Sequence, residues 1–220
     1  MNGAMDWLLW AKGPGFQIAL TVFFVGMAFQ LASILLAGRK TDLSEPRGNP
    51  AAGGRRLLWR RMLPPPGMLE RAPATYVAGY LFHVGIAVVL LLSAPHIEIF
   101  HALLGIGWPG LPTALIDAVT VVTLLALFVL LYTRLTDPVR RFLARPEDYV
   151  VWALTVVPIL TGWLAVNRFG PSYTGMLAAH VLSVDLLLVA FPFTKLGHAL
   201  TLFTSRWYQG TILGHKGVQP

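Results

Sequence analysis

No cysteine occurs in the 220 residues. Its absence excludes iron–sulfur clusters, covalently attached c-type haem, disulfides and thiol chemistry within this chain. Charge is scarce too: 12% of residues are Asp, Glu, Lys or Arg, where a soluble domain carries about 25%. Only one long polar segment exists, 38–73, so the chain has no soluble domain of useful size. No internal repeat is found.

What fills the chain is apolar. Hydrophobic residues make up 55% of it, in runs of about 20, each long enough to cross a bilayer. The spans read as 16–37, 75–94, 115–132, 149–166 and 173–196. The expected fold is an all-α integral membrane protein, a five-helix transmembrane bundle forming a single membrane domain over 1–220. Ahead of the first span stand only Lys12 and Asp6, with no convincing cleavage site, so the first helix reads as uncleaved. Gly13-Pro14-Gly15 reads as a turn before it. Pro95 disturbs the end of the second span, and the apolar stretch 96–108 continues as a kinked extension or as a short interfacial helix.

The net charge of +7 invites a nucleic-acid reading, but its placement explains it otherwise. The 38–73 loop holds eight Lys/Arg, with Arg55, Arg56, Arg60 and Arg61 around Trp59. It reads as a cytoplasmic loop, or as an interfacial amphipathic piece that also docks a partner subunit or anionic lipid. With that loop inside, the inner face collects fifteen Lys/Arg and the outer face only Lys12 and Arg168. The positive-inside rule then places the N-terminus outside and the C-terminus in the cytoplasm, with no nucleic acid involved.

Histidine within hydrocarbon is expensive and marks function. His180 and His198 lie eighteen residues apart, five helical turns. On an unbroken helix they share a face and sit roughly 27 Å apart, near the bilayer thickness of ~30 Å. His83 falls at the depth of His198, and His96 at the outer end of the second span. Helices two and five can therefore present two His–His pairs, one per leaflet: His83/His198 inside and His180/His96 outside. Such pairs hold b-type haem without covalent attachment. A continuous second helix puts His96 roughly 20 Å beyond His83. His101 is the alternative outer ligand, past Pro95, and His215 in the polar tail reads as a surface residue.

Leu81-Phe82-His83-Val84-Gly85, His180, and Phe191-Pro192-Phe193-Thr194-Lys195-Leu196-Gly197-His198 resemble the gamma subunit of respiratory nitrate reductase, a five-helix di-haem cytochrome b. Asp137-Pro138-Val139-Arg140-Arg141 is similar to its basic inner loop, and the resemblance runs from about 16 to 206. It implies that His83 and His198 ligate the inner haem and that His180 ligates the outer one with a second-helix histidine. The family's position for that partner is Ser93 here, and His96 is the nearest substitute. The departure places the chain among related quinone-linked membrane subunits rather than with the nitrate reductases proper.

The expected function is transmembrane electron transfer between menaquinone or ubiquinone and a cytoplasmic partner carrying iron–sulfur clusters, a molybdoenzyme or a heterodisulfide-reductase-like protein. The expected location is the cytoplasmic (inner) membrane of a bacterium or archaeon. Glu98, Asp117 and Asp185 are candidate quinol proton acceptors; Asp185, in mid-span, could relay protons or hydrogen-bond Thr161. Arg168 and Lys195, at opposite ends of the bundle, suit haem propionates. Gly79, Gly85 and Gly162 would let a macrocycle or a helix come close, and Pro158 and Pro192 would kink their helices. Two other readings are a haem-free anchor or assembly subunit, and a proton or ion transporter using Asp185 and the histidines.

Overall fold

A computed structural model describes residues 3–38 and 42–218. Arg39 and Lys40 of the basic loop lie outside the described residues. Among those described there is no strand. In chain order the helices are α1 (Gly3–Trp10), a π-helical turn (Ala11–Gly15), α2 (Phe16–Leu36), α3 (Pro50–Arg60), α4 (Met68–Arg71), α5 (Pro73–Leu92) and α6 (Ala94–Leu104). They continue with α7 (Thr113–Thr136), α8 (Pro138–Leu143), α9 (Pro146–Val166), α10 (Tyr173–Ala190), two 3₁₀ turns (Phe191–Phe193 and Lys195–Gly197) and α11 (His198–His215).

Five stretches are long and apolar enough to cross a membrane: Gly3–Leu36, Pro73–Leu92, Thr113–Thr136, Pro146–Val166 and Tyr173–Phe193. The first begins well before residue 16. Gly13-Pro14-Gly15 kinks an already helical run instead of preceding it, with Gly13 at φ −103°, ψ −106°. Pro14 removes a donor and disfavours helical geometry in the residue before it.

The chain divides into two compact units, Met1–Gly15 with Glu70–Leu187, and Phe16–Leu69 with Leu188–Pro220. In the first, α7 packs against α5 and α9. Leu124 and Leu127 of α7 and Val156 of α9 form a buried cluster, joined by Phe82, Trp152, Ile159 and Leu160. Thr123 is fully buried, and its hydroxyl donates to the Val119 carbonyl four residues back, which satisfies it inside an apolar core. Facing it is Gly85, where an added Cβ would lie 1.9 Å from the Thr123 hydroxyl. Gly85 thus serves the approach of α7 to α5. The Trp152 indole donates to the Leu127 carbonyl, and Arg134 pairs with Asp148 at 2.9 Å.

In the second unit, α3 starts at the Asn49 cap, which accepts from the Ala52 amide, with Pro50 in its first turn. Glycines inside a helix cost about 1 kcal/mol each against alanine. Here they permit contact with α11: a Cβ on Gly53 would lie 2.3 Å from the Gly210 carbonyl, and one on Gly214 2.6 Å from that of Asn49. Leu57 is buried on the same face of α3, and Arg55, Arg56, Trp59 and Arg60 are exposed. The amphipathic piece anticipated in the basic loop is therefore a helix seated on α11.

Candidate functional site

One side of the site is assembled where a helix stops. Pro95 cannot sit inside a continuing helix, because it lacks an N–H and its ring collides with the carbonyl four residues back. α5 ends at Leu92, Ser93 is extended (φ −80°, ψ 128°), and α6 begins at Ala94. Of the two forms open for 96–108, the separate short helix is the one found, and the rise of roughly 20 Å from His83 to His96 along one axis does not apply. A helix end leaves its last carbonyls without partners, and hydrocarbon offers no water to satisfy them. The segment beyond the break supplies donors instead. His96 Nδ1 lies 3.0 Å from the Val89 carbonyl, Trp108 Nε1 donates to Leu91 at 2.6 Å, and the Leu111 amide donates to Leu92 at 2.9 Å.

Across from His96 stands His180 of α10. Its Nδ1 lies 2.9 Å from the Pro158 carbonyl of α9. Gly162, one turn on, leaves room for the ring: an added Cβ would lie 3.0 Å from His180 Nδ1 and Cε1. The glycine singled out for a macrocycle or helix contact accommodates an imidazole. Thr161 and Ser183 link the same two helices through their hydroxyls at 3.3 Å, and the Ser183 hydroxyl donates to the His180 carbonyl.

The rings of His96 and His180 lie 6.2 Å apart between centres, with planes inclined by 31°. Carbonyl oxygens only accept, so each Nδ1 carries the proton and each lone pair sits on Nε2. That is the arrangement of metal-binding histidines, whose second nitrogen donates to a backbone carbonyl. With metal–nitrogen bonds of about 2.0–2.1 Å, two imidazoles on one metal lie roughly 6 Å apart between ring centres. The observed ring-centre separation is of that size.

His83 and His198 show the same tautomer, one in each unit. His83 Nδ1 donates to Gly79 at 2.7 Å, and His198 Nδ1 to Lys195 at 2.7 Å. His83 also borders an open apolar groove along α5, with Val84, Ala87, Val88, Leu91 and Leu92. The space beside Gly79 is open. The helical phase that put His180 and His198 on one face is corrected, because α10 ends at Ala190. After a 3₁₀ turn through Pro192, Thr194 is extended (φ −124°, ψ 178°), and His198 opens α11. The spacing of roughly 27 Å, which needs 173–196 as one helix, is therefore no measure of their separation. His101 is exposed near the end of α6. His215 closes α11 and uses its other nitrogen, Nε2, on the Ser44 carbonyl.

Of the carboxylates, Glu98 is exposed and Asp117 accepts from Asn167 at 3.3 Å. Asp185 is buried, and neither of its oxygens has a hydrogen-bond partner among the described residues. Its expected bond to Thr161 is not made; that hydroxyl faces Val157, Pro158 and Ser183. Arg168 is exposed in the left-handed region at φ 57°, and Lys195 is exposed in the second 3₁₀ turn. Among the described residues no three His, Asp or Glu side chains gather as a metal cluster; axial haem ligation needs only two. The backbone acceptors of Val89 and Pro158 were invisible to the sequence reading.

No family model matches the chain, and no solved structure is similar to it. The chain is 33% identical over 141 residues to a curated protein of Nitratidesulfovibrio vulgaris whose name states no activity, an overlap covering 64% of this chain and 62% of the relative. The chain thus spans less than two thirds of the length of that curated relative.

Proposed function

We propose that the chain is a di-haem cytochrome b subunit that exchanges electrons between a membrane quinone and an iron–sulfur or molybdenum-enzyme partner at the cytoplasmic face. One observation carries the reading. His96 and His180 stand 6.2 Å apart between ring centres, each with Nδ1 committed to a backbone carbonyl. Two neutral imidazoles held in that way suit axial ligation of one b-type haem, the outer one. His83 and His198 are the proposed ligands of the inner haem, on the strength of the resemblance to the nitrate reductase gamma family and of each ring's own hydrogen bond.

When bound, the haems supply one-electron chemistry between quinone and partner. The residues fix the conditions for it. Pro158 and Val89 orient the outer imidazoles, and Gly162 gives one of them space. Arg168 and Lys195 are the cations proposed for the propionates. Asp117 and Glu98 are the proposed proton acceptors for a quinol at the outer surface. The proposed orientation, N-terminus outside and C-terminus inside, rests on the distribution of Lys and Arg. The proposed location is the cytoplasmic membrane of a prokaryote.

The test is spectroscopic. Protein purified from haem-replete cells and reduced with dithionite is expected to show b-type absorbance equivalent to two haems per chain. His180→Ala and His96→Ala are each expected to halve it, and His101→Ala to leave it unchanged. A colourless preparation would overturn the reading in favour of an anchor or assembly subunit. Loss of a haem in His101→Ala alone would replace His96 with His101.

A further inference from the structure

Asp185 is the one buried charged side chain among the described residues, 7% exposed, and it lies near the middle of the fifth apolar stretch, Tyr173–Phe193. Both carboxyl oxygens are sealed from solvent without a hydrogen-bond donor among the described residues. It is seated against the first helix. At the point where a Cβ would stand on Gly15, the Trp10 ring comes within 2.7 Å and Asp185 Oδ2 within 3.1 Å. The carboxyl and the indole thus close on the notch left by a glycine, in the turn that Pro14 and the Gly13 kink create.

Among the described residues no cation pairs with it. The π-helical turn carries Lys12 and α1 carries Asp6, and neither forms an ion pair with Asp185, whose oxygens have no hydrogen-bond partner among the described residues. On α9, joined to α10 through His180 and Ser183, the charged residues Glu147 and Asp148 stand in the first turn. α10 itself adds only His180, whose Nδ1 faces Pro158. An ionised carboxylate in such a seat has neither water nor partner, and the group neutralises by taking a proton instead.

We propose that Asp185 is a proton-binding site inside the membrane span, a carboxyl held as the neutral acid in the notch between Trp10 and Gly15. Its ligand is the proton itself, taken up as COO⁻ + H⁺ → COOH with no other bond made or broken. The acid is held by exclusion of water, and the kinked turn of the first helix is the seal. Release of the proton requires that seal to lift, so movement of the Gly13 hinge and occupancy of the site are coupled.

Infrared spectroscopy of the full chain in lipid nanodiscs tests this directly. At neutral pH the protein is expected to show the C=O band of a protonated carboxylic acid, shifted by ¹³C-aspartate labelling. Asp185→Asn removes the band, and Asp185→Glu moves it. Asn is close in shape to the neutral acid, so that variant is expected to fold with an unchanged unfolding midpoint. If it does not fold, the labelled wild type and Asp185→Glu carry the test. Absence of the aspartic C=O band from the labelled wild type, or its persistence in folded Asp185→Asn, overturns the proposal. The reading is independent of the haems. Colourless protein with the band would sink the cytochrome and leave the proton site; coloured protein without the band would do the reverse.

Discussion

The chain's apolar helices are interrupted once after Leu92 and once after Ala190. Proline takes part in both interruptions and a histidine follows each: Pro95 with His96, Pro192 with His198. The repairs differ. At the first, the chain heals its own cut: His96, Trp108 and Leu111, all downstream, reach back to the carbonyls of Val89, Leu91 and Leu92. At the second, help comes from a distant helix. Gln30 of α2 donates to the Pro192 carbonyl, the Pro192 ring fills the notch of Gly26, and Gly197 makes room for the Gln30 amide. The first break therefore holds its histidine half-buried against a ring partner, and the second leaves His198 exposed at a helix start. His96 is positioned by a carbonyl near its break, whereas the Pro192 carbonyl is satisfied by Gln30 and His198 turns to Lys195.

That contrast can be broken by substitution. The largest effect is expected from Gly26→Leu, which drives a side chain into the Pro192 ring, 2.5 Å from where the Cβ would stand. Overpacking against a ring should cost about 3 kcal/mol, read as unfolding free energy in mixed micelles, and should leave the absorbance of the proposed outer haem in place. Next comes His96→Leu, which orphans the Val89 carbonyl and should cost about 2 kcal/mol. His198→Leu should cost less than about 1 kcal/mol, because the carbonyl of exposed Lys195 can turn to water. Equal costs for the two histidines would end the distinction between the breaks. Trp108→Phe removes the donor to Leu91 and should cost about 1 kcal/mol. Smallest is Pro95→Ala, expected to change stability by under about 1 kcal/mol while adding hydrogen-exchange protection at 93–97, as α5 grows into α6.

Much of the membrane architecture was legible because hydropathy reports environment. The five apolar stretches, the basic loop and the candidate histidines all follow from residue type and spacing. Helix breaks were harder to read. Phe191-Pro192-Phe193 is as apolar as the helix before it, so composition runs 173–196 together, whereas the backbone leaves the α-helix at Ala190 and is extended at Thr194. In the first span, likewise, composition does not separate a turn at 13–15 from a kink within a longer helical run. For Asp185 the sequence offered Thr161 as a partner by proximity on neighbouring helices, but the threonine spends its hydroxyl on its own helix and on Ser183.

The sequence by itself determined that the chain lives in a bilayer, because apolar runs of about 20 residues leave no other solvent for them. It also determined where imidazoles interrupt those runs. Which imidazole meets which, and by which nitrogen, was decided by tertiary structure. A backbone carbonyl exists at every residue and carries no signature in sequence; only the tertiary structure brings an imidazole to a particular one, Val89 at the end of α5 and Pro158 within α9.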